Sequence, residues 1–178
     1  MYRILEYALF FVAVLLLQVF LFNNLNLSVY INPLVYAAFI ILLPMETPAI
    51  TTLLLGLLLG VCTDFLSGIP GINTIATLFT AFCRPLTMTL MLGKEVVKEG
   101  GIPTSARIGN GKFIRYCSAA VLFHCIVYFS FEALSWNYFH VTRLKIVLSS
   151  VVTVILIYFS QMLLIGNYRK EKSKAQNG

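Results

Sequence analysis

The sequence predicts an all-α integral membrane protein with six transmembrane helices, and three observations lead there. Of 178 residues, 59% are hydrophobic and only 11% charged, with a mean hydropathy of +0.87. A water-soluble domain of this size would leave too much apolar surface uncovered. The apolar residues fall into six stretches of roughly the length that crosses about 30 Å of hydrocarbon. Most charges are gathered in one central loop and one short tail rather than on a folded polar face.

The first stretch, Leu5–Phe22, follows Arg3 in the manner of a signal peptide. The NNLNLS after it has no small-x-small cleavage site, so it reads as a retained span. The second, Val29–Leu43, is closed by PMETP, and the third, Ala49–Phe65, runs into SGIPG. Such links of turn residues and prolines stop helices and predict tight hairpins. The fourth stretch is Ile72–Leu92. After it comes the one long interruption, GKEVVKEGGIPTSARIGNGK, glycine-rich, charged and expected to be partly mobile. Phe113–Phe139 and Leu144–Ile165 complete the set. Residues 166–178 form a basic tail expected to be solvated, and 1–178 reads as one domain without repeats.

With the N-terminus in the cytoplasm, Arg3, Lys94, Lys98, Arg107, Lys112, Arg115, Arg169, Lys170, Lys172 and Lys174 lie inside. Only Arg143 and Lys145 lie outside, while Arg84 falls within a span. Ten against two is a positive-inside bias that puts both termini in the cytoplasm, with Trp136 and Tyr138 in the outer interfacial belt. It also accounts for the net charge of +6 without nucleic acid as a partner. The four cysteines lack the CxxC or Cys/His spacing that holds zinc and read as small packing residues.

Polar residues within the spans are the candidate sites. Thr52, Gly56, Gly60, Asp64 and Gly68 recur every four residues and so share one face of the third helix. Gly56 and Gly60 form a GxxxG, which reads first as internal helix packing and second as a partner interface. Asp64 lies about 24 Å along a helix that starts at Pro48, near the outer surface. There it would organise the outer helix ends through hydrogen bonds or through pairing with Arg143 or Lys145. Glu132, about 28 Å up the fifth helix, Gln18 and Asn73 fall in the same half, either as a cluster or as individually hydrated groups.

Arg84 precedes Pro85, which removes a helix hydrogen bond and predicts a kink. Its guanidinium would snorkel to the cytoplasmic interface or pair with Glu46. His124, Tyr128 and Glu132 share a face, as do Ser149, Thr153 and Ser160, and both sets read as interhelical glue before any proton relay. No span pairs a nucleophile with a base, gathers metal ligands or carries a phosphate loop. The expectation is therefore no enzyme activity, no cofactor and no metal.

The block GVCTDFLSGIPG, followed by INTIATLFTAFCRP, resembles the rod shape-determining protein MreD family, as do GKFIRY and FHCIVYFSFEALS further on. The resemblance extends from the first span to the last. Its pattern falls on Gly60, Asp64, Gly68, Pro70, Gly71, Asn73, Arg84 and Pro85, and implies structural rather than catalytic roles for them. It implies a scaffold of the cell-elongation complex in the bacterial inner membrane. The implied partners are a single-pass MreC-type protein, the actin-like MreB and the peptidoglycan synthases. The implied fold is similar to the substrate-binding S-component of energy-coupling-factor vitamin transporters. That likeness raises a rival function, a small-molecule uptake subunit. A lipid-handling flippase is a third reading and would need a polar cavity within the membrane.

Overall fold

All but one of the apolar stretches form long helices. The structure is a computed structural model, and it describes residues 2–23, 31–68, 71–133 and 139–176. Helix α1 (Tyr2–Leu16) continues as a π-helical turn over Leu17–Phe22. It is followed by α2 (Ala37–Ile41), α3 (Ala49–Ser67), α4 (Ile72–Leu92) and the short α5 (Lys94–Lys98) and α6 (Ser105–Ile108). Two long helices, α7 (Asn110–Ala133) and α8 (Phe139–Gln176), close the chain. Among the described residues five segments are long and apolar enough to cross a bilayer: Leu5–Phe22, Ala49–Ser67, Ile72–Leu92, Asn110–Ala133 and Val141–Gln161. The protein is a multi-pass, all-α membrane protein.

The expected second helix is the exception: five of the six expected spans are long helices among the described residues. Residues 24–30 lie outside the described set; residues 32–34 have no regular structure, 35–36 turn, and only Ala37–Ile41 is α-helical. Asn32 precedes Pro33, which biases it away from helical backbone and removes a donor. Every residue from 33 to 43 is buried, whereas in the long helices at most half of the apolar window is. This stretch is apolar because protein surrounds it, a condition periodicity alone does not distinguish from a lipid-facing helix.

The stretch still carries the chain from one end of the bundle to the other. At one end, Asn23 Nδ2 donates to Ser67 Oγ at 2.7 Å, bringing the close of the first span beside the close of α3. At the other, Met45 N donates to Gly101 O at 2.9 Å and Gly101 N donates to Glu46 Oε2 at 2.5 Å. We call these the Asp64 end and the Gly101 end.

Helices α3, α4, α7 and α8 pack in sequence order as neighbouring pairs around this stretch. Between α3 and α4 the chain reverses through Gly68 and Gly71, whose φ angles of 66° and 75° are ones that side-chain-bearing residues rarely adopt. Helix α4 runs on through Pro85 to Leu92.

The long loop, expected to be partly mobile, carries α5 and α6 and is tied down at several points. Besides the Gly101 contacts, Ser105 N donates to Gln161 Oε1 at 2.8 Å, and the helices that flank the loop are joined where Arg115 Nη2 of α7 donates to Met91 O of α4 at 2.6 Å. Helix α8 extends without a break through the basic segment as far as Gln176.

Candidate functional site: a buried backbone and the side chains that hold it

Backbone outside a helix, away from water, must find its hydrogen bonds elsewhere in the protein. The polar side chains of the spans supply them. Gln18 sits on the π-helical turn, where Asn23 N donates back to Gln18 O over five residues. Its Nε2 donates to Asn23 Oδ1 at 2.9 Å and to Pro33 O at 3.0 Å. Its Oε1 accepts from Val35 N at 2.8 Å and from Tyr36 N at 3.4 Å. One amide thus uses both donors and both acceptor positions, three of these contacts on the central segment.

From α8, Ser149 Oγ accepts from Asn32 N at 3.0 Å and Thr153 Oγ1 accepts from Leu34 N at 3.1 Å. From α7, Tyr116 Oη donates to Ile41 O at 3.1 Å. From α4, Arg84 Nη2 donates to Leu43 O and, at 3.2 Å, to Pro44 O. Four different long segments therefore hold the central one. Leaving any one of these buried groups unpaired costs about 1–3 kcal/mol.

At the Asp64 end the same logic fixes the α3–α4 hairpin. Asp64 Oδ1 accepts from Asn73 N at 3.0 Å and Asn73 Nδ2 at 2.9 Å. Its Oδ2 accepts from Thr74 N at 2.9 Å and Thr74 Oγ1 at 2.5 Å. Two of the four donors are backbone groups in the first turn of α4, which have no partner within their own helix. A carboxylate there also lies favourably in the helix dipole.

From Asn73 the hydrogen bonds continue inward. Tyr36 Oη donates to Asn73 Oδ1 at 2.7 Å. His124 Nε2 lies 3.1 Å from Tyr36 Oη, and His124 Nδ1 lies 2.8 Å from Thr80 Oγ1. His124 and Tyr36 are completely buried, and their rings meet edge to face with centroids 5.3 Å apart. Asp64, on α3, is thereby connected through α4 and the central segment to α7.

The glycine face packs inward. A Cβ at Gly56 would meet Ala81 Cβ at 3.0 Å and Thr77 O at 3.3 Å, and one at Gly60 would run into the Thr74 backbone and Thr77 Oγ1. The GxxxG therefore seats α3 on α4, as the packing reading expects.

The remaining sequence candidates divide. Asn73 joins Asp64 directly, whereas Glu132 pairs with Lys145 at 3.3 Å, both half-exposed. Of the two roles open to Asp64, hydrogen bonding or pairing with Arg143 or Lys145, the four donors around it are those of the first, and Lys145 bridges to Glu132 instead. Arg84 neither snorkels nor pairs with Glu46: it is 4% exposed and caps backbone carbonyls, while Glu46 accepts from Gly101 N. Gly68 and Gly71 form the reversal and Pro85 lies inside α4. Pro70, Trp136 and Tyr138 lie outside the described residues.

Tyr36, Thr80 and Tyr116 are absent from the sequence candidates. The signal for them lies in the Asn32-Pro33 break: once that stretch is not helical, its backbone needs partners, and polar groups on facing helices are the only supply.

Among the described residues no three His, Cys, Asp or Glu side chains gather as metal ligands would. A shallow apolar crevice of about 340 Å³ lies between α7 and α8, lined by residues that include Ser118, Leu122, Val151 and Val154. The chain matches no protein-family model, no curated protein and no solved structure.

Proposed function

We propose that this protein is a non-enzymatic membrane scaffold of the MreD type, resident in the bacterial inner membrane with both termini in the cytoplasm. It binds a single-pass MreC-type partner and, with MreB and the peptidoglycan synthases, helps position wall synthesis during elongation. The observation that carries the reading is the use made of the polar side chains in the spans. Gln18, Tyr36, Asp64, Asn73, Arg84, Tyr116, His124, Ser149 and Thr153 bond to the chain's own backbone or to one another. The interior they hold together is filled by Phe113, Phe129, Leu59 and Ile157, all essentially inaccessible. A rigid body of this kind, with Leu54, Phe65, Phe82 and Leu90 facing outward, suits a protein whose work is done by its surface.

Depletion in the bacterial host, with affinity purification from its membranes, tests this. Rounded cells and co-purification of an MreC-type protein are expected. Normal cell shape, with growth failing only when a vitamin is scarce and with an ATPase and coupling subunit co-purifying, would overturn the proposal in favour of uptake.

A further inference from the structure

The first span changes register where it meets the central segment. On an α-helix, residues five apart lie about 140° apart around the axis, and residues four apart about 40°. Gln18 and Asn23 are five apart, yet they are joined twice: Asn23 N donates to Gln18 O at 2.9 Å, and Gln18 Nε2 donates to Asn23 Oδ1 at 2.9 Å. The wider π turn over Leu17–Phe22 is what stacks them. That turn is spelled LQVFLF, with no glycine or proline to open the helix. Its cause therefore lies in the contacts of its one polar residue.

Those contacts fix both amides. Pro33 O can only accept and Val35 N can only donate, so Gln18 turns Nε2 to the first at 3.0 Å and Oε1 to the second at 2.8 Å. The second Nε2 proton goes to Asn23 Oδ1, which turns Asn23 Nδ2 to Ser67 Oγ at 2.7 Å. Each contact has its own proton. Gln18 is thereby fastened to the central segment and Asn23 to α3. An ordinary α turn would keep the first fastening but swing Asn23 by about 100°, the angle of one residue, and take it off Ser67.

We infer that residues 17–22 are a register switch, held in the wide form by the Gln18 amide and closing to an α turn when that amide lets go. The turn carries one residue more than an α-helix needs to join the same two fastenings. Closing it points the end of the span in a new direction, together with Phe20 and Leu21, which are 68% and 44% exposed. The seating of Pro33 and Val35 on Gln18 thus sets which apolar side chains the first span presents at the Asp64 end. Gln18 and Asn23 are positioning residues in this arrangement. The inference does not depend on the scaffold function.

Solid-state NMR of the full-length protein in lipid bilayers tests this through two side-chain contacts, Gln18 to Asn23 and Asn23 to Ser67. The parent should show both. Gln18→Leu removes the amide and should abolish the contact between Asn23 and Ser67, although neither residue is altered. Deleting Leu21 leaves Gln18 and Asn23 four apart, neighbours on an ordinary α-helix, and should keep both contacts. Combined with Gln18→Leu, the same deletion should restore the Asn23–Ser67 contact, which general unfolding would not allow. An Asn23–Ser67 contact that survives Gln18→Leu alone would overturn the inference. So would one that is lost on deleting Leu21, or one that the combined variant fails to restore. If Gln18→Leu yields no folded protein, the Leu21 deletion decides alone: both contacts kept support the switch, and either one lost overturns it.

Discussion

Gly60→Ala is expected to destabilise the protein severely, although it adds a single methyl group. The new Cβ would meet the Cα and the amide nitrogen of Thr74, backbone atoms that move only if α4 moves. Helix α4 is held at that turn by the Asp64 carboxylate, through Asn73 and Thr74, so it cannot withdraw without giving up those bonds. Overpacking a tight contact costs about 1–3 kcal/mol, and a backbone obstacle puts Gly60→Ala at the upper end. Gly56→Ala meets the Ala81 Cβ at 3.0 Å and the Thr77 carbonyl oxygen at 3.3 Å, so the two helices need part by only a few tenths of an ångström, and it should fall at the lower end. Leucine at Gly60 should abolish folding. Thermal unfolding in detergent, read by loss of monodisperse protein, gives the order: parent, then Gly56→Ala, then Gly60→Ala. Equal midpoints for the two alanine variants would show that α3 does not seat on α4 through this face.

Asp64→Leu is the second large effect. It leaves Asn73 N, Asn73 Nδ2, Thr74 N and Thr74 Oγ1 without their acceptor. Orphaned buried donors cost about 1–3 kcal/mol each, though such costs do not simply add. Asp64→Asn retains the size and one oxygen, but its amide group must face two of these donors, one of them a backbone N–H whichever way it turns. Asparagine should therefore be intermediate, clearly below the parent and above leucine, at matched membrane abundance. Asparagine and leucine variants both as stable as the parent would reduce Asp64 to a hydrated carboxylate with no organising part.

Much of this architecture is legible in the sequence because lipid-facing helices announce themselves by length and composition. The stretches beginning at Leu5, Ala49 and Ile72 correspond to long helices within a few residues, and those of α7 and α8 are recovered over their apolar parts. The four-residue recurrence from Thr52 to Gly68 also marks a real face, because glycine at helical spacing has meaning mainly where another helix comes close.

The Val29–Leu43 stretch is where that logic gives out. Hydropathy measures preference for an apolar surrounding, and a protein interior satisfies it as well as lipid does. Asn32-Pro33 and the brevity of the stretch are the only local hints that its backbone is irregular. The functional candidates inherit the same blind spot. Arg84 looks like a snorkelling cation when its neighbours are assumed to be helical, and becomes a carbonyl cap once Leu43 and Pro44 end α2 beside it. His124 looks like part of a stripe with Tyr128 and Glu132, yet its partners, Tyr36 and Thr80, come from elements 88 and 44 residues away. Partners at such separations depend on tertiary placement, which no local pattern encodes.

The central claim is that an irregular, fully buried segment crosses the middle of the bundle on hydrogen bonds borrowed from the surrounding helices. Backbone carbon chemical shifts of residues 31–45 in lipid bilayers, measured by solid-state NMR, test it most directly. Extended or irregular shifts at residues 31–34, with helical values confined to the turn at 35–36 and to Ala37–Ile41, are the predicted result. Uninterrupted helical shifts from Ile31 to Leu43 would contradict it, because a continuous helix satisfies its own backbone and leaves Gln18, Ser149 and Thr153 without the role described.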